Sequence, residues 1–145
     1  MALPFPFSRW LDRLLRRPDH RPLGQQGEDA AARHLTRLGY QILARGDHSK
    51  PGELDLVARD GDTVVFVEVK TRRSQEAGHP AEAVNAAKQR RLTRLAVTFL
   101  KRYGLLESPA RFDVIAVTWP EGQRRPTIEH LPNAFDAVGR NEFYS

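Results

Sequence analysis

Apolar residues recur along this chain with two periods, one typical of helices and the other of strands. Residues 25–38 repeat every three to four positions, with Ala31, Leu35 and Leu38 on one stripe, and residues 80–103 repeat in the same way. The other apolar runs predict five strands, at residues 40–44, 54–58, 63–70, 111–118 and 127–131. The order helix, three strands, helix, two strands predicts an α/β fold whose mixed central sheet is flanked by helices on both faces.

Charged residues interrupt the apolar pattern of the second and third predicted strands. Glu68 and Lys70 are two positions apart, so they lie on the same face of the strand, because side chains alternate with period 2. If the hairpin closes with a two-residue turn at residues 60–61, Asp55 lies opposite Phe66 on that same face. A slip of one residue would turn Asp55 to the other face. Since burying charge is costly without compensation, this hairpin is the first candidate for a functional site.

Each predicted helix also carries one charge on its apolar stripe. Glu28 lies three residues before Ala31 and is expected to face the core, although a glutamate in the first turn is also favoured by the helix dipole. Lys88 falls between Val84 and Leu92 on the buried stripe of the second helix. Its alkyl stem could instead follow the apolar surface until the ammonium reaches water. Both helices therefore offer a charge to the face of the sheet.

These side chains together suit a hard divalent cation. Carboxylate oxygens from Asp55, Glu68 and Glu28 would form the oxygen-rich pocket that Mg²⁺ or Mn²⁺ prefers. Such a cation stabilises charge on a phosphoryl group, and Lys70 could orient or deprotonate an attacking water. Arg72 and Lys88 are both placed to contact a phosphate of the substrate. Arg72 could instead be a charge at the rim of the site without such a contact. The pattern therefore predicts phosphodiester hydrolysis.

Composition narrows the class of protein. The chain has 145 residues, enough for one domain with a core, and its formal net charge of +5 fits a polyanionic partner. It has no cysteine, which excludes disulfides, thiolate zinc sites and a cysteine nucleophile, and the default location is the cytoplasm. No apolar run is long enough for a transmembrane helix.

The ends of the chain are predicted to lie outside the domain. Residues 1–22 form a basic amphipathic extension in which Trp10, Leu11, Leu14 and Leu15 share a helical face. This face could bind a membrane surface, a protein partner or nucleic acid, or the extension could dock on its own domain or remain poorly ordered. The domain itself is assigned to residues 23–135, and residues 136–145 are assigned to a tail.

The ordered set of motifs resembles known families. Asp55, a spacer of 12 residues and then Glu68-Val69-Lys70 resemble the PD-(D/E)xK signature of restriction-endonuclease-like nucleases. Glu28 resembles the helical glutamate of archaeal Holliday-junction resolvases. More closely, the chain from residue 23 to 135 resembles the bacterial YraN family, in these segments: Gly27-Glu28, Leu38-Gly39-Tyr40, Gly52 to Leu56, Phe66 to Arg72, Lys88, Arg111 to Val114 and Asn133-Ala134-Phe135.

The resemblance implies a restriction-endonuclease-like αβββαβ core and a metal-dependent nuclease acting on DNA, branched or single-stranded. Resolvase-like enzymes of this fold often work as dimers, which makes a homodimer an option. Two departures affect the site. Leu54 stands where the signature has proline, and Glu53 shares a face with Asp55 and could compete with it as a ligand. Asp113 either pairs with Arg111 or another cation, or lies near the site.

Two other functions fit the same residues. The first is a nucleic-acid-binding module on the nuclease fold with little or no hydrolytic role. The second is a structural domain in which Asp55, Glu68 and Lys70 form a buried ion network, although several buried charges are difficult to satisfy without a metal.

Overall fold

The computed structural model describes residues 21–46 and 52–138. Nearly all of the predicted extension, residues 1–20, lies outside the described residues, and so do residues 47–51 and 139–145. The division of the chain into extension, domain and tail therefore stays a prediction. No helix in the described part is long and apolar enough to cross a bilayer.

The described chain forms two helices and five strands, joined in part by two short 3₁₀ turns. In chain order they are α1 (Leu23–Arg37), β1 (Gln41–Arg45), β2 (Leu56–Asp60), β3 (Thr63–Arg72), the turns Gln75–Ala77 and Pro80–Ala83, α2 (Ala86–Arg102), β4 (Ala110–Thr118) and β5 (Thr127–Phe135). The sheet has the order β1-β2-β3-β4-β5. Only β3 and β4 are parallel, because α2 makes the crossover between them. The predicted mixed sheet and αβββαβ order are confirmed.

Both faces of the sheet are buried under a helix. The core under α1 consists of Ala30, Ala31, Ala32, Leu35, Leu56, Ala58, Val65, Val67, Ile115 and Val117. The core under α2 consists of Val57, Val64, Phe66, Val84, Leu92, Ala96, Leu100, Phe112 and Val114. Alternate residues of β3 and β4 supply the two cores, which explains why both strands read as nearly continuous apolar runs.

The hairpin differs in register from the predicted one. Its turn is formed by Gly61 and Asp62, so that Asp60 pairs with Thr63 and Val57 pairs with Phe66. The predicted pairing of Asp55 with Phe66 is therefore wrong by two residues. Gly61 adopts a positive φ of 58°, which suits this tight turn. Because the shift is an even number of residues, every side chain of the hairpin keeps its predicted face.

Other element boundaries also differ from the predicted ones, and β2 runs from Leu56 to Asp60 and not from residue 54 to 58, which leaves Asp55 just outside the strand. The second helix begins at Ala86 and not at residue 80, because Pro80–Ala83 forms a separate 3₁₀ turn and Asn85 caps the helix through its side chain. The third strand continues to Arg72, because its parallel pairing with β4 extends that far. The last strand continues from Leu131 to Phe135, with a register shift opposite β4.

Candidate functional site

Asp55 lies just before β2 and is fixed there from two sides. Its Oδ2 accepts a hydrogen bond of 2.8 Å from the backbone N–H of Val69 on β3. Its carbonyl oxygen accepts a bond of 2.9 Å from the N–H of Gly46. A Cβ at position 46 would lie 2.0 Å from the carbonyl oxygen of Leu54, so only glycine allows this approach. The backbone therefore aims the Asp55 carboxyl at the middle of the Glu68-Val69-Lys70 segment.

Glu68 on β3 meets the Asp55 carboxyl. The pKa of Glu68 is raised to about 7, chiefly by burial and also by the charge of Asp55 and a hydrogen bond between the two carboxyl groups. The positive charges of Lys88 and Arg91 on α2 act in the opposite direction. Two carboxyl groups this close favour sharing one proton unless a cation is present.

Glu28 brings a third carboxyl toward this pair from α1. It is only 3% exposed, which agrees with the inward direction that its position on the helical stripe predicts. The pKa of Glu28 is raised to about 7, chiefly by burial and next by the negative charge of Asp55, while the positive charge of Arg45 acts in the opposite direction. The helix can approach the sheet here because the residue before Glu28 is glycine. A Cβ on Gly27 would lie 1.9 Å from Oγ1 of Thr71 on β3.

The cations of the predicted site are arranged differently from its carboxyls. Lys70 is exposed at the end of β3, and its side chain forms no hydrogen bond or ion pair with another described residue. Lys88 is partly buried in the first turn of α2, where its charge affects Glu68. Arg91, one turn further along, also affects Glu68, and the sequence did not single it out as a residue of this site. Its spacing of three residues from Lys88 was the signal that could have identified it.

Arg72 is held in a network at the end of β3. Its Nη1 donates to the carbonyl oxygen of Gly78 at 2.6 Å, and its Nε donates to Oγ1 of Thr118 at 3.1 Å. These bonds fix the loop after β3 against β4. A phosphate contact by Arg72 stays a prediction, and it would use the nitrogen that these two bonds leave over.

Asp113 belongs to a separate buried network. Its side chain is fully buried, accepts bonds from Nε of Arg111 (3.0 Å) and the N–H of Asn133 (2.9 Å), and lies 2.8 Å from Nε2 of His130. Burial would raise the pKa of Asp113, but the hydrogen bonds from His130, Arg111 and Asn133 hold it below its usual value. The predicted pairing with Arg111 is confirmed. Glu53, the other candidate acid, is exposed beside Asp55.

The ligand atoms that this site offers are of the type that a hard cation prefers. All three carboxyls offer oxygen, and two of them have pKa values of about 7, so a divalent cation would relieve the repulsion that burial leaves in place. Within residues 21–46 and 52–138, however, no three His, Asp or Glu side chains are grouped as closely as a metal ion requires. The Asp55–Glu68 pair is therefore the centre of the site, and Glu28 lies at its border.

The chain is similar to several known proteins. The model of the uncharacterised protein family UPF0102 matches residues 27–117. A UPF0102 protein of Rhodopirellula baltica is 47% identical over 125 residues, covering 84% of this chain and 75% of the relative. One of Symbiobacterium thermophilum is 52% identical over 118 residues, covering 81% and 98%. Among solved structures, the Holliday junction resolvase Hjc of Archaeoglobus fulgidus is 20% identical with a TM-score of 0.41, over 77% of this chain and 97% of that one.

Proposed function

The chain belongs to the uncharacterised protein family UPF0102, and we propose that it is a divalent-metal-dependent nuclease that hydrolyses phosphodiester bonds in DNA, branched or single-stranded. One observation carries the proposal. Asp55 and Glu68 come together from a loop and a strand, Glu28 approaches them from a helix, and burial together with the charge of Asp55 raises the pKa of both glutamates to about 7. Carboxyls that repel one another at the end of a sheet are expected where a protein binds a cation and uses it.

In this mechanism Asp55 and Glu68 would hold Mg²⁺ or Mn²⁺, with Glu28 as a third acid beside them. When bound, the cation supplies positive charge to a phosphoryl oxygen and lowers the pKa of water. The hydrogen bond from the Val69 N–H keeps the Asp55 carboxyl oriented, and that carboxyl also meets Glu68. Loading the site requires the loss of the proton that Glu68 holds below about pH 7.

Lys70 acts on the substrate in this scheme. It follows Glu68 by two residues on β3, so it leaves the strand on the same face, and its exposed ammonium can reach a molecule in solvent. There the ammonium orients the attacking water and stabilises negative charge on the phosphoryl group. Lys88 and Arg91 add positive charge beside Glu68, where a phosphate would approach. Arg72 is the further candidate for a phosphate contact.

A second function is supported by a specific observation. No three acidic or histidine side chains form a close group in the described part of the chain, and Lys70 contacts neither carboxyl of the pair. A nucleic-acid-binding module on this fold, with little or no hydrolysis, would retain the charges without needing a tighter site. The two functions differ in one outcome, the appearance of a cleaved product.

Cleavage of a substrate panel separates the two functions. Purified protein is incubated with labelled single-stranded, flapped, duplex and four-way DNAs in Mg²⁺, Mn²⁺ or EDTA. We expect cleavage of at least one substrate with a metal, and a loss on the order of 100-fold or more in Asp55→Asn and Lys70→Ala, because each removes charge that acts in the transition state.

The matched control is Asp62→Asn. Asp62 is an exposed acid in the turn at the other end of the same hairpin, so its neutralisation changes the net charge of the protein in the same way as Asp55→Asn. The control should cleave at the wild-type rate. Equal activity in all four proteins would point to a contaminating nuclease, and binding without product under any metal would leave the binding module as the function.

A further inference from the structure

The positive charge of the protein is concentrated in α2. This helix carries six of the 23 Lys and Arg residues of the chain and none of its 18 Asp and Glu residues. The rest of the chain therefore has a formal net charge of −1. A helix in a soluble domain ordinarily mixes both signs, because opposite charges three or four residues apart stabilise it and like charges destabilise it.

Five of these cations form one exposed surface, which we call the basic face. Its members are Arg90, Arg91, Arg94, Lys101 and Arg102. At 3.6 residues per turn, they lie within about 120° of the helix circumference, opposite the buried stripe. None of them forms an ion pair with a carboxylate in residues 21–46 or 52–138.

Some arginines elsewhere in the described part of the domain are paired with acids. Arg45 pairs with Asp29, and Arg111 pairs with both Asp60 and Asp113. The pairing on the other side of the molecule shows that acids are available in this chain, yet none is placed on α2. The mutual repulsion along the basic face is therefore a cost that a polyanionic ligand would remove.

The basic face leads to the carboxyl pair. Arg91 belongs to the face and its positive charge acts on Glu68, as does the charge of Lys88 one turn earlier. A rise of about 1.5 Å per residue puts Arg102 roughly 18 Å from Arg90 along the helix axis. One end of the surface is thus beside the candidate site, and the other extends over a length that spans several phosphates of a nucleic-acid strand.

We propose that the basic face of α2 binds the sugar–phosphate backbone of a DNA strand and leads that strand to the Asp55–Glu68 pair. The inference rests on the proposed function, since it assigns the substrate a path to that site. Recognition would be through charge and independent of base sequence, because every member of the face is a Lys or Arg directed at solvent. The ligand is a strand and not a single phosphate, because the charges are spread along the helix.

The test measures binding in EDTA, where hydrolysis cannot contribute. The affinity of a labelled DNA strand is determined by fluorescence anisotropy over a range of NaCl concentrations for the wild type and for Arg90→Gln/Arg94→Gln/Lys101→Gln. Removing three phosphate contacts should weaken binding at least about tenfold and reduce the slope of log affinity against log salt by about 2 to 3. Glutamine is a good helix former, so α2 should persist, which circular dichroism checks.

The matched control is Arg33→Gln/Arg37→Gln/Arg59→Gln. It removes the same charge from exposed positions on α1 and the hairpin, and should keep most of the affinity and the salt slope. Equal weakening in both triple variants, or no weakening in the first, would overturn the assignment of α2 while the wild type still binds. Full competition by an acidic polypeptide would also overturn it. A wild type that binds no DNA at any salt would instead refute the proposed function.

Discussion

Glu68→Gln tests the electrostatics of the site through the stability of the protein. The folded state holds the pKa of Glu68 at about 7, above the ordinary value of 4.5, because the side chain is partly buried beside Asp55. Between these two pH values the folded protein binds more protons than the unfolded chain, so the wild type loses stability as pH rises through this window. The glutamine variant has no such proton and escapes that loss.

The size of the effect follows from the same two pKa values. Each tenfold change in a proton affinity corresponds to about 1.4 kcal/mol, so the raised pKa of Glu68 costs the wild type at most about 3.5 kcal/mol near pH 8. Near pH 4 both proteins carry a neutral side chain at this position, and their free energies of unfolding should be similar. The variant should then become progressively more stable than the wild type as pH rises from about 4.5 to 7.

Urea unfolding at a series of pH values, in EDTA, measures this difference. Glu129→Gln is the control, because Glu129 is an exposed acid on β5 and its loss should leave the pH profile of the wild type unchanged. A difference between Glu68→Gln and the wild type that stays constant over this pH range would refute the description of the carboxyl pair. So would a wild type that gains stability over the variant as pH rises.

Two further substitutions test the frame around the site. Gly27→Ala places a Cβ 2.8 Å from the Cβ of Thr71, and no rotation of the Thr71 side chain can relieve this contact. The free energy of unfolding in urea should therefore fall by about 1 to 2 kcal/mol, despite the better helix propensity of alanine. An unchanged or higher stability would contradict the close approach of α1 to the sheet. Asp113→Asn leaves Arg111 without its buried partner and should cost about 3 to 5 kcal/mol, whereas a loss below about 1 kcal/mol would show that the network is not needed.

Local sequence could predict two parts of the fold: the face of the sheet to which each strand side chain points, and the order of the helices and strands. The faces of Asp55 and Glu68 depend only on whether their positions are odd or even, so they survived an error of two residues in the register of the hairpin. The turn itself was misplaced because Asp60, Gly61 and Asp62 all suit turns, and only the paired strands select among them. The resemblance to the YraN family, which is the UPF0102 family, was confirmed by the family model that matches residues 27–117.

Contacts between distant segments were beyond local sequence. The position of Arg91 beside Glu68 depends on how α2 crosses the sheet, which no periodicity specifies. His130 and Asp113 are seventeen residues apart in sequence, and they come together only because β5 pairs with β4. The start of α2 could have been predicted, because Asn85 is a favoured capping residue, but Pro80 suits the start of a helix equally well. A homodimer and a cytoplasmic location stay predictions.

The rate of Mn²⁺-dependent DNA cleavage by the wild type and by Asp55→Asn is the most direct test of the central claim, that the Asp55–Glu68 pair is a catalytic cation site. Both proteins are assayed on the substrate that the wild type cleaves fastest, with Asp62→Asn beside them. We expect the wild type and Asp62→Asn to cleave at the same rate and Asp55→Asn to be slower by about 100-fold or more. Cleavage by Asp55→Asn at the wild-type rate, or no cleavage by the wild type with any divalent metal, would contradict the claim.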